Sequence, residues 1–181
     1  IGRCNEEMSS INKIAEQLLS LAHFDEDDHE IYEINKIFNT PPVDIYLEKL
    51  KKDGFTVTLS LPIESPQIKA ASNQLDQLMI QFIENAEEAM PERGELTIEI
   101  EEDEIDDKMY TFVSISDTGI GIPEENLSRI FQPFFTTKGK KSTGLGMMII
   151  STIVENLNGT IGVRTKPGEG TTFKIVLPSI T

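Results

Sequence analysis

One acidic residue closes an otherwise apolar strand pattern, and this feature constrains the fold more than any other in the chain. In the segment MYTFVSISD, Val113, Ile115 and Asp117 share one side of the predicted strand because side chains alternate between its two faces. A buried carboxylate without a partner is costly, so Asp117 requires a hydrogen-bond donor there. Gly119 and Gly121 follow directly and indicate a turn beside the acid. The pattern therefore predicts a half-buried strand whose final acid is held by a partner.

Strands and amphipathic helices alternate along the chain on either side of this feature. ELTIEIE and TTFKIVLP repeat the period of two, and the second segment brings the polar Thr171 onto its apolar side. NQLDQLMIQFIENAEEAM, GLGMMIISTIVENLNG and PPVDIYLEKLKKDG are predicted helices, whereas IYEINKIF and FTVTLSL are predicted strands. Strands with one apolar face that helices cover predict an α+β fold. We expect a two-layer α/β sandwich with a mixed, mostly antiparallel sheet and helices on one face.

The first 26 residues are predicted to form a unit of their own. EEMSSINKIAEQLLSLAHF has apolar residues at helical spacing and is followed by the acidic segment DEDDHE. We interpret residues 1–26 as one helix and residues 27–181 as a second domain. The first residue is Ile and no secretory pattern follows, which indicates a piece of a longer protein. One cysteine and no membrane-length apolar run predict a soluble, cytoplasmic piece, although its parent could be membrane-anchored.

The chain is strongly acidic, with one basic exception. The formal net charge of −15 opposes unaided binding to nucleic acid or to an anionic membrane surface. Residues 126–154 contain no acid and four cations: Arg129, Lys138, Lys140 and Lys141. A solvated basic loop explains these cations alone as well as a ligand site does. Gly144 and Gly146 open the next helix, however, and the N–H groups at a helix start can bind anions. Together these features predict a bound polyphosphate.

The glycine segments do not fit the common phosphate fingerprints, but a longer set of motifs fits one family. GLGMMI and GIGIPE lack the third glycine of a dinucleotide fingerprint, and no GxxxxGK[ST] segment occurs. Five motifs follow one another within residues 73–178: IENAEEAM, DTGIGIP, IFQPFFTTK, TGLGM and GEGTTFKIVLP. They resemble the N, G1, F and G2 boxes and the closing strand of the ATP-binding domain of sensor histidine kinases, within the gyrase, Hsp90, histidine kinase and MutL superfamily. The resemblance implies a Bergerat-type ATP-binding fold with ATP and Mg²⁺ as ligands.

The resemblance also implies roles for individual residues. Asn85 would give its side-chain oxygen to a Mg²⁺ ion that bridges the nucleotide phosphates, since an amide binds a hard cation without adding charge. Asp117 would accept a hydrogen bond from the adenine amine, and Thr171 would support adenine through its hydroxyl and water. Lys138 would contact phosphate from a mobile lid. The lid phenylalanines are expected mainly to pack: Phe131, Phe134 and Phe135. The other implied nucleotide-binding residues are Glu88, Gly119, Gly121, Gly144, Leu145 and Gly146.

One residue argues for phosphate transfer and against hydrolysis. Gln81 stands where the ATP-hydrolysing relatives place a glutamate that activates water, and an amide cannot act as a general base. Hydrolysis is disfavoured on this ground if Glu88 does not take the place of that glutamate. The expected function is therefore that of the catalytic domain of a two-component sensor histidine kinase. Such a domain binds Mg-ATP and transfers the γ-phosphate to a histidine of a dimerisation domain, for relay to a response-regulator receiver domain. The full-length protein is expected to be a homodimer, and this piece is expected to bind neither nucleic acid nor membrane.

The accepting histidine is not expected within this chain. His29 is followed by the acid of a phosphoacceptor pattern but not by its proline, and His23 fits no better. Residues 1–26 resemble the truncated C-terminal part of a dimerisation helix. The catalytic residue therefore stays unassigned, and the piece is expected not to phosphorylate itself in cis. Two alternatives remain open. One is an ATPase clamp of the gyrase, Hsp90 or MutL kind, and the other is a nucleotide-binding regulatory module without kinase activity.

Overall fold

The computed structural model describes residues 29–139 and 142–180. The helix predicted within residues 1–26, the predicted domain boundary and the lid residues Lys140 and Lys141 lie outside the described residues. The described strands are β1 Glu30–Glu33, β2 Thr56–Ser60, β3 Gln67–Ala70, β4 Glu95–Ile105, β5 Lys108–Asp117, β6 Thr160–Lys166 and β7 Gly170–Pro178. The described α-helices are α1 Pro41–Lys52, α2 Ser72–Ala89, α3 Glu124–Leu127 and α4 Gly146–Asn156. A short 3-10 helix spans Ile34–Asn39.

Five strands form one sheet in the order β2-β4-β5-β7-β6. The pair β2–β4 is parallel, whereas β4–β5, β5–β7 and β6–β7 are antiparallel. The remaining strands, β1 and β3, pair antiparallel in a separate two-stranded sheet. The mixed, mostly antiparallel main sheet confirms the predicted architecture.

The core lies between one face of this sheet and the helices α1, α2 and α4. Side chains alternate along β4, where Leu96, Ile98 and Ile100 are buried while Glu99 between them is exposed. Phe82 of α2 packs on Phe173 of β7 with 5.5 Å between the ring centroids. Burial of such apolar side chains is the main favourable term in folding. The helices therefore cover one face of the sheet, as the strand periodicity predicts.

The segment IYEINKIF differs from its prediction as a strand. Only its beginning joins β1, and the rest forms the 3-10 helix Ile34–Asn39. The backbone N–H of Asn35 donates to Ser65 Oγ at 3.0 Å, and its side-chain amide donates to the Pro62 carbonyl at 3.0 Å. Ile34, Ile37 and Phe38 are buried together, at spacings of three and four that suit a helical turn. Contacts with a distant loop thus outweigh the strand propensity of the segment.

The strand register places the end of β5 beside the start of β7. Asp117 pairs with Thr171 on β7 and with Leu96 on β4. The residue that closes the apolar strand pattern therefore lies in the interior strands of the sheet, at the edge of the core. Among residues 29–139 and 142–180, no helix is both long and apolar enough to cross a membrane.

Candidate functional site

A cleft opens where β5 ends, β7 begins and α4 starts. One wall is the inner side of α2, and the opposite wall is the loop 118–139 with α3. The space between the walls is about 920 Å³ including its open mouth. Seven predicted site residues line it: Asn85, Asp117, Gly121, Lys138, Gly144, Gly146 and Thr171.

Asp117 lies at the inner end of the cleft and is held by backbone N–H groups. The N–H of Gly119 donates to Asp117 Oδ1 at 2.8 Å, and the N–H of Thr171 also donates to the carboxylate. Burial raises the pKa of Asp117 above its usual value, while these two N–H groups and the charge of Lys138 oppose the rise. The partner that the sequence requires for this acid is therefore backbone, and the carboxylate still lines the cleft.

Two glycines after Asp117 allow the loop to pass close to its neighbours. A Cβ atom on Gly119 would lie 2.5 Å from the Ala89 carbonyl oxygen and 2.7 Å from Asp117 Oδ1. Gly121 has a φ of +69°, and a Cβ there would lie 2.3 Å from the Lys166 carbonyl oxygen. Larger residues would force both contacts apart. Gly119 thus serves the site by supporting Asp117 and does not itself line the cleft.

Thr171 is buried beside Asp117 and shares a hydrogen-bond network with Thr165 of β6. The two hydroxyl oxygens are 3.0 Å apart. The Thr165 hydroxyl also donates to the Gly170 carbonyl at 3.0 Å and accepts from the N–H of Ile122 at 2.9 Å. The Thr165 side chain therefore links the start of β7, the loop after β5 and the Thr171 hydroxyl beside the cleft.

Asn85 lines the cleft from α2, near the start of α4. Its side-chain Nδ2 donates to the sulfur of Met147 at 3.3 Å. This contact uses the amide nitrogen, so the side-chain oxygen is the atom of Asn85 that could coordinate a cation. Gly146 allows α4 to approach, because a Cβ there would lie 2.8 Å from Gln81 Oε1 and 3.5 Å from Asn85 Nδ2.

Lys138 and Glu88 form an ion pair at the mouth of the cleft. Lys138 Nζ lies 2.8 Å from Glu88 Oε2, and both side chains are partly exposed. The pair joins the loop 118–139 to α2, and Lys138 lies in the cleft wall. Leu145 is 1 % exposed, so its side chain belongs to the core beneath the glycines that flank it.

The lid phenylalanines divide into two groups. Phe131 and Phe135 are partly buried against the core, as expected, and the Arg129 guanidinium lies 4.5 Å from the centre of the Phe135 ring. Phe134 differs from the prediction because it is 63 % exposed, with a φ of +62°. Gly144 packs tightly against the backbone at this point, since a Cβ there would lie 2.5 Å from the Phe134 backbone.

Among the residues of the site and its supports that were not predicted from the sequence are Asn126, Met147 and Thr165. Asn126 and Met147 line the cleft, whereas Thr165 acts through Thr171. The strand period carries a signal for Thr165, because it shares the inward side of β6 with Ile161 and Val163. A polar residue on an apolar side is the same signal that identified Asp117.

Within the described part of the chain, the cleft offers few protein ligands for a divalent cation. Among residues 29–139 and 142–180, no group of three or more His, Cys, Asp or Glu side chains could hold a metal ion. A single amide oxygen at Asn85 suits Mg²⁺, which keeps several waters and is often held by one or two protein ligands with substrate phosphates. The residues present therefore fit a magnesium ion that arrives with a phosphate ligand.

Comparisons with known proteins agree with this geometry. Residues 70–181 match the family described as histidine kinase-, DNA gyrase B- and HSP90-like ATPase. Sporulation kinase A of Bacillus subtilis (strain 168) is 39 % identical over 174 residues, which cover 95 % of this chain and 28 % of that protein. Sporulation kinase E of the same organism is 33 % identical over 172 residues, covering 95 % of this chain and 23 % of that protein. The chain thus spans less than a third of the length of these relatives.

A solved structure shows the same fold. The catalytic domain of the histidine kinase ThkA superposes with a TM-score of 0.70 and 28 % sequence identity, and the match covers 83 % of this chain and 95 % of that domain. The order of motifs and the fold thus agree with one another. The chain therefore belongs to the histidine kinase-, DNA gyrase B- and HSP90-like ATPase family, and it carries the ATP-binding catalytic domain of the sensor histidine kinases.

Proposed function

We propose that the longer protein is a two-component sensor histidine kinase and that the cleft of this domain binds Mg-ATP for transfer of the γ-phosphate to a histidine. The observation that carries the proposal is the placement of Asp117 and Lys138 in the walls of one cleft, a carboxylate at its inner end and a cation at its mouth. A carboxylate suits the amine of a base, and a cation suits phosphate. One end thus offers an acceptor for the base of a nucleotide, and the other end offers a positive charge for its phosphates.

The inner end of the cleft suits a purine base. Asp117 accepts hydrogen bonds there, and the surrounding surface is formed by apolar side chains that can lie against a flat ring: Ile115, Ile120, Ile122, Ile130 and Phe173. Gly121 allows the loop after β5 to lie close to the backbone of Lys166. Asp117 is assigned to the exocyclic amine of adenine, with Gly119 and Gly121 shaping the loop and Thr171 supporting the base.

The outer end suits phosphate. The helix α4 begins at Gly146, and among the described residues no side chain caps its first turn, so its N–H groups can bind an anion. Gly144 and Gly146 keep this start open to the cleft, and Leu145 anchors it in the core. Lys138 is assigned to the phosphates, and Glu88 is assigned to this end as the partner that orients Lys138.

Asn85 is the residue that would hold Mg²⁺. Its side chain lines the cleft, and Met147 takes the amide nitrogen. When bound, the ion would neutralise phosphate charge and orient the transferred group. The chain itself contributes position and electrostatics: it holds the base, excludes water with the lid and aims cationic and N–H groups at the phosphates.

The amide side chain of Gln81 and its contacts favour transfer to a histidine over hydrolysis. This side chain is 7 % exposed, and its Nε2 donates to Glu84 Oε2 at 3.2 Å. An amide in this position cannot remove a proton from water. We assign the nucleophile to a histidine on a dimerisation domain of the same protein, with a homodimeric parent, and the next acceptor to the aspartate of a response-regulator receiver domain.

The test extends the chain upstream to include its native dimerisation segment and supplies ATP labelled on the γ-phosphate. We expect acid-labile, alkali-stable label on a histidine of the extended protein. The chain of residues 1–181 should bind ATP without labelling itself. Steady release of phosphate without histidine label would instead identify an ATPase clamp. Nucleotide binding with neither label nor release would identify a regulatory module.

A further inference from the structure

The Thr165 hydroxyl makes three hydrogen bonds at once. It lies 2.9 Å from the N–H of Ile122, 3.0 Å from the carbonyl oxygen of Gly170 and 3.0 Å from the hydroxyl of Thr171. Thr165 does not itself line the cleft, whereas Thr171 does. Any effect of Thr165 on a ligand must therefore pass through Thr171 or through the loops that it joins.

The chemistry of these partners fixes the direction of each bond. A hydroxyl has one proton and two acceptor lone pairs. The carbonyl of Gly170 can only accept, so the Thr165 proton points to it, and the N–H of Ile122 can only donate. The third bond is then satisfied when Thr171 donates its own proton to Thr165. The Thr171 hydroxyl therefore has lone pairs, and no proton, to offer to the cleft.

Asp117 offers only acceptors at the same place. It lies opposite Thr171 in the strand register, and its carboxylate already accepts from the N–H groups of Gly119 and Thr171. Two neighbouring acceptors suit an amino group, which carries two N–H donors. A carbonyl oxygen in the same position would meet lone pairs on both sides, and an unmatched buried polar group is costly.

We propose that Thr165 is a specificity-determining positioning residue, which keeps the Thr171 hydroxyl an acceptor so that the cleft selects a base with an exocyclic amine over one with a carbonyl oxygen. The proposal rests on the proposed nucleotide function and deepens it. Without the Thr165 oxygen, the Thr171 hydroxyl is free to turn and donate to a carbonyl. The preference set by Asp117 remains, so discrimination weakens but does not disappear.

ATP and inosine triphosphate are the appropriate pair of probes, because the exocyclic amine of the first is a carbonyl oxygen in the second. We expect Thr165→Val to lower the ratio of their affinities by about fivefold to tenfold, mainly through tighter binding of inosine triphosphate. Thr165→Ser retains a hydroxyl and should keep the wild-type ratio. Both affinities are measured by calorimetric titration, and thermal unfolding reports whether each variant is folded.

A matched control lies on the opposite face of the sheet, between β7 and β5. Thr172 and Ser116 share a hydroxyl pair at 2.9 Å, so Thr172→Val removes a similar bond away from the cleft. It should leave the affinity ratio unchanged. If Thr165→Val fails to fold, Thr171→Val provides the second test, because removal of the hydroxyl itself should also reduce discrimination.

The outcomes separate this proposal from the function on which it rests. A wild-type protein that binds neither nucleotide would overturn the proposed function, and this inference with it. A wild-type protein that prefers ATP, with the same preference in Thr165→Val, would overturn the role of Thr165 alone. The role of Thr165 would also be overturned if Thr171→Val kept the full preference for ATP, or if Thr172→Val lowered this preference as much as Thr165→Val does.

Discussion

Thr171 lies directly opposite Asp117 in the antiparallel register of β5 and β7, and its backbone N–H donates to the Asp117 carboxylate. The position of the acid is therefore set by the pairing of two strands that are distant in the sequence. Gly119 supplies a second N–H from the turn that follows. The half-buried carboxylate is thus held by two backbone N–H groups, with the charge of Lys138 also favouring its ionised form, and it still lines the cleft.

Replacement of Asp117 should change how folding stability depends on pH. Burial raises the pKa of Asp117 above its usual value of 3.8. Between the usual and the raised pKa, the folded chain binds more protons at this site than the unfolded chain, so its stability falls as pH rises. We expect the free energy of unfolding of the wild type, relative to Asp117→Asn, to decrease as pH rises from below 3.8 towards neutral. Urea denaturation of both proteins at matched pH measures this difference, and a difference that grows with pH would show that the assigned direction is wrong.

Replacement of Asn85 should remove the effect of magnesium on nucleotide binding. We expect Mg²⁺ to strengthen ATP binding by about tenfold or more in the wild type and by less than about twofold in Asn85→Ala, because a ligand of the ion is lost. Calorimetric titrations with Mg²⁺ and with a chelator measure the effect. Asn156→Ala changes an exposed asparagine at the end of α4 and should behave as the wild type. An unchanged magnesium effect in Asn85→Ala would remove this residue from the metal site.

A side chain at Gly119 should disrupt both the loop and ligand binding. The new Cβ would lie 2.5 Å from the Ala89 carbonyl oxygen, which is backbone and cannot easily move aside. We expect Gly119→Ala to destabilise the fold by about 2 kcal/mol or more and to weaken ATP binding. Gly162→Ala is the control, since a Cβ there meets only the Lys174 carbonyl oxygen at 3.9 Å. Thermal unfolding and ATP titration compare the two, and equal effects would argue against the close approach at Gly119.

The charge of Lys138 should matter for phosphate and not for the base. We expect Lys138→Gln to weaken ATP binding by about threefold to tenfold and to leave AMP binding nearly unchanged. Lys49 forms a similar ion pair with Glu87, which lies next to Glu88 on α2, with 2.7 Å between Nζ and Oε1. Lys49 does not line the cleft. Lys49→Gln should therefore leave both affinities unchanged. Loss of AMP and ATP binding to the same extent in Lys138→Gln would indicate a structural role for this lysine.

Much of the fold follows from the period of the apolar residues. The alternation in β4, β5 and β7 and the helical spacing in α2 and α4 predict these elements, because half-buried strands and helices have different periods. The 3-10 helix Ile34–Asn39 is not predictable in this way, since its hydrogen bonds go to Ser65 and Pro62 in a distant loop. β3 alternates between exposed and buried residues, but its four residues are too few for the sequence alone to identify a strand.

Some residues of the candidate site are likewise recognisable from the sequence, and others are not. Asp117, Asn85 and the glycines are recognisable because each is an unusual residue type within its pattern or belongs to a motif of known order. The contact of Met147 with Asn85 and the link from Thr165 to Thr171 arise from tertiary packing. A methionine or a threonine in an apolar pattern carries too little local signal to reveal such partners, so only the structure identifies them.

Titration of Mg-ATP into the wild-type chain and into Asp117→Asn tests the central claim most directly, because the claim is that this cleft holds the adenine of ATP through one carboxylate. We predict saturable binding of one ATP per wild-type chain and affinity at least about tenfold weaker in Asp117→Asn, with both proteins folded. Equal affinity of the two proteins for Mg-ATP would contradict the account.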